Sequence, residues 1–165
     1  MWRGNFIEAK RRGRWEYAAR ANNMGAAVIL AIDDGHVLLI EQYRVPLGMH
    51  CLELPAGLVG DDGVAEEAGV AALRELEEET GYRAERADSL GSYFSSPGMT
   101  DEVFTLFRAT GLTRVHDGGG IEGESIVVHR VPLAEVGSFV SERRAAGVAI
   151  DVKLLVLLAS ELVAS

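Results

Sequence analysis

The sequence predicts an α/β (α+β) domain, a mixed β-sheet sandwiched between α-helices, preceded by a short N-terminal β-hairpin arm. Three observations predict it. Short apolar, β-branched runs separated by turn signals alternate with stretches of helical period, the mixture that stacks helices on a sheet. A chain of 165 residues that is 48% apolar has enough material for one core and would be cramped as two. No internal repeat and no linker interrupts it, so residues 1–24 are assigned to the arm and residues 25–165 to the domain.

Residues Asn5 to Arg20 read as two alternating segments, FIEAK and RWEYAAR, around a basic turn that contains Gly13. After a turn at Asn22 to Gly25, the runs AAVILAI and HVLLIEQY are separated by Asp33-Asp34-Gly35, a strong turn signal, and are expected to be buried neighbouring strands. Arg44 and Pro46 to His50 form a loop. CLEL is another strand, running into a Pro55-Ala56-Gly57 turn, and a helix is expected from about Val64 to Thr80. ADSLGSYFSS is a strand that stops at Pro97-Gly98, and EVFTLFRATGL alternates into the next. Asp117 to Gly123 is glycine-rich with no core to bury, so a mobile loop is expected. Ser125 to Arg130 is a strand. Pro132 opens a helix over Leu133 to Arg144, and Asp151 to Val163 is a second helix with an apolar stripe at Leu154, Leu155, Leu158 and Leu162.

Charge and composition narrow the partners. A net charge of −9 argues against a nucleic-acid backbone, so a phosphate-bearing ligand has to be met by bound metal and a few local arginines. Cys51 is the sole cysteine, which excludes an intrachain disulfide; in an apolar strand it is expected to be buried and not nucleophilic. His36, His50, His116 and His129 are scattered without metal-ligand spacing and read as turn or surface residues. Met1 to Ala9 holds no apolar run that could serve as a signal, and Leu154 to Ala159 is far short of a membrane span. A soluble, cytoplasmic protein with no membrane partner is the expectation.

The chemistry concentrates between Leu54 and Tyr82. At about 100° per residue, Glu75, Glu78 and Glu79 share one arc of the helix while Ala72, Leu73 and Leu76 point to the other side. Like charges at these spacings cost roughly 0.2–0.5 kcal/mol per pair; a solvated face tolerates that, and a shared divalent cation explains it better. Hard oxygen ligands favour magnesium or manganese over zinc. Gly81 supplies the left-handed residue that ends the helix. Gly60, Glu66, Arg74, Glu75, Leu76, Glu78, Glu79, Gly81 and Tyr82 fill the pattern Gly, five residues, Glu, seven residues, Arg-Glu-apolar-any-Glu-Glu-any-Gly-apolar. That pattern resembles the Nudix box of the pyrophosphohydrolases. The resemblance implies the Nudix fold and a metal held by Glu75, Glu79 and the main-chain carbonyl of Ala56. It makes Glu78 a nearby or second-metal ligand, with Arg74 orienting the carboxylates.

Features outside the box resemble the ADP-ribose pyrophosphatase subfamily. Ser96-Pro97-Gly98-Met99-Thr100-Asp101-Glu102 is similar to its pocket loop, which implies that Gly98 and Met99 line the substrate pocket and that Glu102 accepts from the terminal ribose. Glu41-Gln42-Tyr43-Arg44 matches its EQ-x-R, with Arg44 on the diphosphate or the far ribose, a bidentate role suited to guanidinium. Trp15-Glu16-Tyr17 with Arg20 is similar to its N-terminal strand, where a Trp of one subunit stacks on the adenine held by the other. Stacking of that kind is worth about 1–3 kcal/mol, and a homodimer is implied. Gly118-Gly119-Gly120-Ile121-Glu122-Gly123-Glu124 matches the loop that closes over substrate. Glu122 falls at the base position and Glu124 at the adjoining metal-contact position, the order of the two being open.

The expected reaction is hydrolysis of ADP-ribose to AMP and ribose 5-phosphate with Mg2+, for which Mn2+ can substitute. A wider nucleoside diphosphate sugar range, GDP-mannose included, is the alternative. A sensor of ADP-ribose or NAD metabolites without turnover is the second alternative; it predicts a damaged ExxEE, which is intact here.

Overall fold

The computed structural model describes residues 2–21, 24–60, 66–121 and 123–164. The N-terminal alternation forms the hairpin expected of it: β1 (Ile7–Arg12) and β2 (Trp15–Arg20) pair antiparallel around Gly13. The hairpin is tied to the rest of the chain at Ala18. Its N–H donates to the Met99 carbonyl at 2.9 Å and its carbonyl accepts from the Asp101 N–H at 3.3 Å.

β3 (Ala26–Asp33) and β4 (His36–Arg44) are joined by Asp34 and Gly35, both at positive φ, which is the backbone twist a two-residue hairpin needs. They are neighbours only at Ile32↔Val37 and Asp33↔His36, and then diverge. β5 (Met49–Glu53) pairs with β4, and the three-residue β6 (Ala56–Leu58) pairs with β3. The helix α1 (Ala68–Thr80) begins later than the expected Val64, which with residues 61–65 lies outside the described residues. β7 (Tyr82–Arg83) follows at once, and β8 (Arg86–Phe94) and β9 (Val103–Thr110) form an antiparallel pair with β9 running parallel to β3. β10 (Thr113–Arg114) pairs β7, and β11 (Val127–Pro132) pairs β4. A 3-10 turn, Leu133–Glu135, precedes α2 (Val136–Ala145), so Pro132 closes a strand instead of opening the helix. β12 (Ala149–Ile150), a second 3-10 turn at Val152–Leu154 and α3 (Leu155–Ala164) complete the described chain.

The main sheet runs β12-β5-β4-β3-β9-β8, with β11 and β6 attached off that path. Alternation along β3 sorts the core into two layers. Ala27, Ile29 and Ala31 pack with Ala72 and Leu76 of α1 on one face, while Val28 and Leu30 join Leu52, Leu54, Val136, Val140, Leu154 and Leu158 on the other. Because helices cover both faces, β3 and β4 are buried in continuous runs, which is why their sequences lack polar alternation. The helix-sheet-helix sandwich is the one expected.

Local corrections have physical causes. The α3 stripe is half right: Leu154 and Leu158 are buried, but Leu155 and Leu162 are exposed. Leu155 sits about 100° round the helix from Leu154, outside the face that meets the sheet. His129 is neither a turn nor a surface residue. It lies in β11 with its Nε2 at 3.2 Å from the buried Glu41, which also accepts from Arg143 at 2.8 Å; a carboxylate leaves water only with such partners. The first half of the glycine-rich loop is packed, not free. The Gly119 and Gly120 N–H groups donate to the carbonyls of Glu79 and Glu78 at 2.9 and 3.1 Å, satisfying the end of α1. Among the described residues, no helix is long and apolar enough to cross a membrane.

Candidate active site

The helical period delivers the acidic face of α1 to one place. Ala71, Ala72 and Leu76 are buried, which turns Glu75 and Glu79, one turn apart, toward β6. Gly57 makes room for them: a Cβ there would overlap the Glu75 side chain. Glu79 is only 5% exposed, and its Oε2 accepts from the Ala56 N–H at 2.9 Å. Arg74 braces the group, donating through Nη1 to Glu75 at 2.9 Å and to Glu78 at 3.1 Å, and through Nη2 to Glu66 at 3.2 Å. The Glu66 carboxylate, with Glu75 and Glu78 behind it, raises the Arg74 pKa above its ordinary value. At the end of α1, Gly81 takes φ +76° and has no room for a side chain against the His116 carbonyl.

Glu75 and Glu79 form one wall of a cavity of about 550 Å3, lined from both halves of the divided sheet. Ala26 and Val28 of β3, Ala56 and Gly57 of β6 and Phe104 of β9 line it from one side; Gln42, Arg44, Cys51 and Glu53 of β4 and β5 line it from the other. Glu124 reaches the same cavity, its Oε2 accepting from the Ile121 N–H at 3.0 Å. Burial pushes the Glu79 carboxyl up to about 8, the negative charges of Glu75 and Glu124 add to it, and the Ala56 N–H and Arg44 oppose it. The Cys51 thiol is pushed up to about 12, first by burial, so it is inert as well as buried.

Each cation of the cavity is paired. Arg44 forks onto Glu53, with Nε and Nη2 both at 2.6 Å from its two oxygens, and this pairing raises the Arg44 pKa. Arg20 meets Glu102 at 2.7 Å, and Lys153 meets Asp151 at 2.7 Å. Among the described residues, six lining carboxylates therefore stand against three cations, an excess of negative charge where an anion would have to bind.

The residues singled out from the sequence divide into groups. Ala56, Glu75, Glu79, Glu124, Arg20, Arg44 and Glu102 come together in this cavity. Glu78 turns to Arg74 and does not line it. Trp15, 59% exposed, and Gly98 lie in a second cleft with Phe94 and Pro97, and Met99 is exposed and lines neither. Glu122 lies outside the described residues. The sequence reading missed Glu53, Phe104, Asp151 and Lys153. A lone Glu in the apolar run CLEL was the available signal for Glu53.

Among the described residues, no three His, Cys, Asp or Glu side chains converge on a single point. The donor set still fits a hard divalent cation. Glu75, Glu79 and Glu124 line the same cavity, and Glu79 ionises there only against its burial and the repulsion of the other two, which a cation would relieve.

A model of the NUDIX domain matches residues 22–151. The chain belongs to the Nudix family. Curated relatives include the methanol dehydrogenase activator of Bacillus methanolicus, 38% identical over 73% of this chain and 64% of that protein, and the ADP-ribose pyrophosphatase of Bacillus subtilis, 36% identical over 72% and 64%. The chain thus spans about two thirds or slightly less of their length. A GDP-mannose pyrophosphatase of Cronobacter sakazakii is 38% identical over 81% of this chain and 71% of its own. A crystal structure of an ADP compounds hydrolase superposes with a TM-score of 0.67 at 26% identity, covering 94% of this chain and 91% of that one.

The raised Glu79 pKa makes the stability of this Nudix domain pH-dependent when no cation is supplied. A carboxyl whose folded value lies above 4.5 stabilises the fold fully below pH 4.5, and that contribution is lost as pH rises through about 8. In the presence of a chelator, Tm is expected to fall between about pH 5 and pH 8, by an amount reflecting a few kcal/mol, and Glu79→Gln is expected to flatten the slope. A wild-type Tm that holds steady over that range would contradict the reading.

Proposed function

We propose that this chain is a divalent-metal-dependent pyrophosphohydrolase that cleaves ADP-ribose to AMP and ribose 5-phosphate. The observation that carries the proposal is the wall of Glu75, Glu79 and Glu124 facing Arg44 across one cavity. The Bacillus subtilis relative and the ADP compounds hydrolase support the substrate. Nudix hydrolases generally use a divalent metal; here Mg2+, with Mn2+ as a substitute, is the proposed ion.

The ligands in this proposal are Glu75, Glu79, Glu124 and the main-chain carbonyl of Ala56, with Glu78 nearby. When bound, the ion supplies positive charge that offsets the anionic diphosphate and its developing charge. The chain's own residues do the rest. Arg74 fixes the carboxylate rotamers, and Arg44, already oriented by Glu53, presents a guanidinium to the diphosphate. Arg20 and Glu102 hold one another at the sugar end, where Glu102 accepts from ribose hydroxyls. Glu122, or Glu124 if their order is reversed, takes the proton of the attacking water. One water is consumed and one anhydride bond broken, giving two phosphomonoesters.

A purified sample assayed on a panel of nucleoside diphosphate sugars is expected to show its highest kcat/KM with ADP-ribose, and Glu79→Gln to lose at least about 100-fold in kcat. The GDP-mannose pyrophosphatase relative favours a second reading, a wider nucleoside diphosphate sugar range. A higher kcat/KM on GDP-mannose would replace the first reading with that one. Binding of ADP-ribose by the wild-type protein with no turnover of any substrate on the panel would leave only the sensor reading.

We also propose that residues 1–24 act as an arm on the domain of residues 25–165 and that two copies associate. Support comes from the exposed Trp2, Phe6, Trp15, Phe94 and Met99, a concentration of large apolar side chains around the hairpin and the strand β8. In this arrangement Trp15 stacks on the adenine held by the partner subunit. Sedimentation velocity is expected to show a dimer, weakened by Trp15→Ala; a wild-type monomer at micromolar concentration would rule the arrangement out.

A further inference from the structure

The Asp151–Lys153 pair lies about 70 residues along the chain from the acidic helix, yet it lines the same cavity. Its placement follows from local structure. Asp151 caps the 3-10 turn at Val152–Leu154, its Oδ1 accepting from the Lys153 N–H at 2.7 Å while Oδ2 accepts from Lys153 Nζ at 2.7 Å. The Asp151 N–H donates to the Leu52 carbonyl at 3.0 Å, which ties the turn to β5 beside Glu53, and Leu154 is fully buried beneath it. Arg44–Glu53 and Lys153–Asp151 therefore stand as neighbouring ion pairs on the same wall.

Lys153 is not a solvated surface lysine. Its side chain is 18% exposed, and its ammonium lies 5.9 Å from the centre of the Phe104 ring, which belongs to the other half of the divided sheet. The stem thus crosses between the two halves that form the cavity. An ammonium has three donors; Asp151 takes one, and the described residues provide no hydrogen-bond acceptor for the other two. A compact cation with two free donors, in a cavity otherwise dominated by carboxylates, suits the non-bridging oxygens of a diphosphate. A structural lysine held only for capping would have no need to point its ammonium into the cavity.

We propose that Lys153 is a substrate-binding residue that donates to the non-bridging diphosphate oxygens, with Asp151 holding its ammonium in place until substrate arrives. This rests on the pyrophosphohydrolase reading and adds to it a cation from the C-terminal part of the chain. Two probes that need no turnover separate the claims: α,β-methylene ADP-ribose and inorganic pyrophosphate, each titrated calorimetrically with Mg2+ present. Lys153→Met keeps the apolar stem over Phe104 and is expected to weaken both probes by about tenfold, while Lys153→Arg stays near the wild-type affinity. Unchanged affinity in Lys153→Met would overturn the proposal alone, as would a loss confined to methylene ADP-ribose, which would move the contact to the sugar or base. Failure of the wild-type protein to bind methylene ADP-ribose would overturn the substrate reading, and the proposal with it. Should Lys153→Met not fold, Asp151→Asn decides. It retains the capping acceptor but frees the ammonium, so tighter pyrophosphate binding is expected, and equal or weaker binding would refute the role.

Discussion

The rest of the structure depends on carboxylates held where water is scarce. Glu79 is buried beside Glu75 and within the field of Glu124, and among the described residues one backbone N–H and a distant guanidinium are all that offset its charge. Such a group is unstable as an anion in that position unless positive charge is brought to it. Most of the neighbouring architecture follows from that demand. Gly57 lacks a side chain so that Glu75 can pass, Arg74 keeps the acids oriented, and the glycines after His116 seal the helix end without crowding it.

The cavity itself is a consequence of the sheet. β3 and β4 start as a tight hairpin and separate after two residue pairs, because each then finds other neighbours. Val28, Ala56 and Phe104, which pack into the apolar cluster with Leu52, Leu106 and Leu154, line the gap, and its walls carry Gln42, Arg44 and Glu53 of β4 and β5 and the acids of α1. A packed floor with charged walls holds the side chains in fixed rotamers, which suits recognition of a rigid charged group better than a flexible surface would. The ion pairs around the rim keep each cation aimed while the cavity stands open.

Much of this was legible in the sequence, and the illegible parts share a cause. The acidic face of α1 could be read because a 3.6-residue period is a local property, and the β3–β4 turn because Asp-Gly needs positive φ. β6 and β12 were missed because two or three residues carry no period. Glu53 and Lys153 were missed because their roles come from partners far along the chain or across the sheet. His129 was misread for the same reason: nothing near it in sequence announces the buried Glu41 it faces. Glu78 looked equivalent to Glu75 and Glu79 on a helical wheel, but the i,i+4 geometry gives it to Arg74. The Trp15 cleft lies apart from the main cavity within one chain, a separation that no sequence pattern encodes.

The proposed role of the carboxylate wall is to hold a divalent cation. Mn2+ titration followed by electron paramagnetic resonance tests it without substrate or turnover, since free and bound ion give distinct signals. Saturable binding to the wild-type protein is expected, abolished in Glu75→Gln/Glu79→Gln and competed by Mg2+. Equal Mn2+ binding by the double variant and the wild type would contradict it.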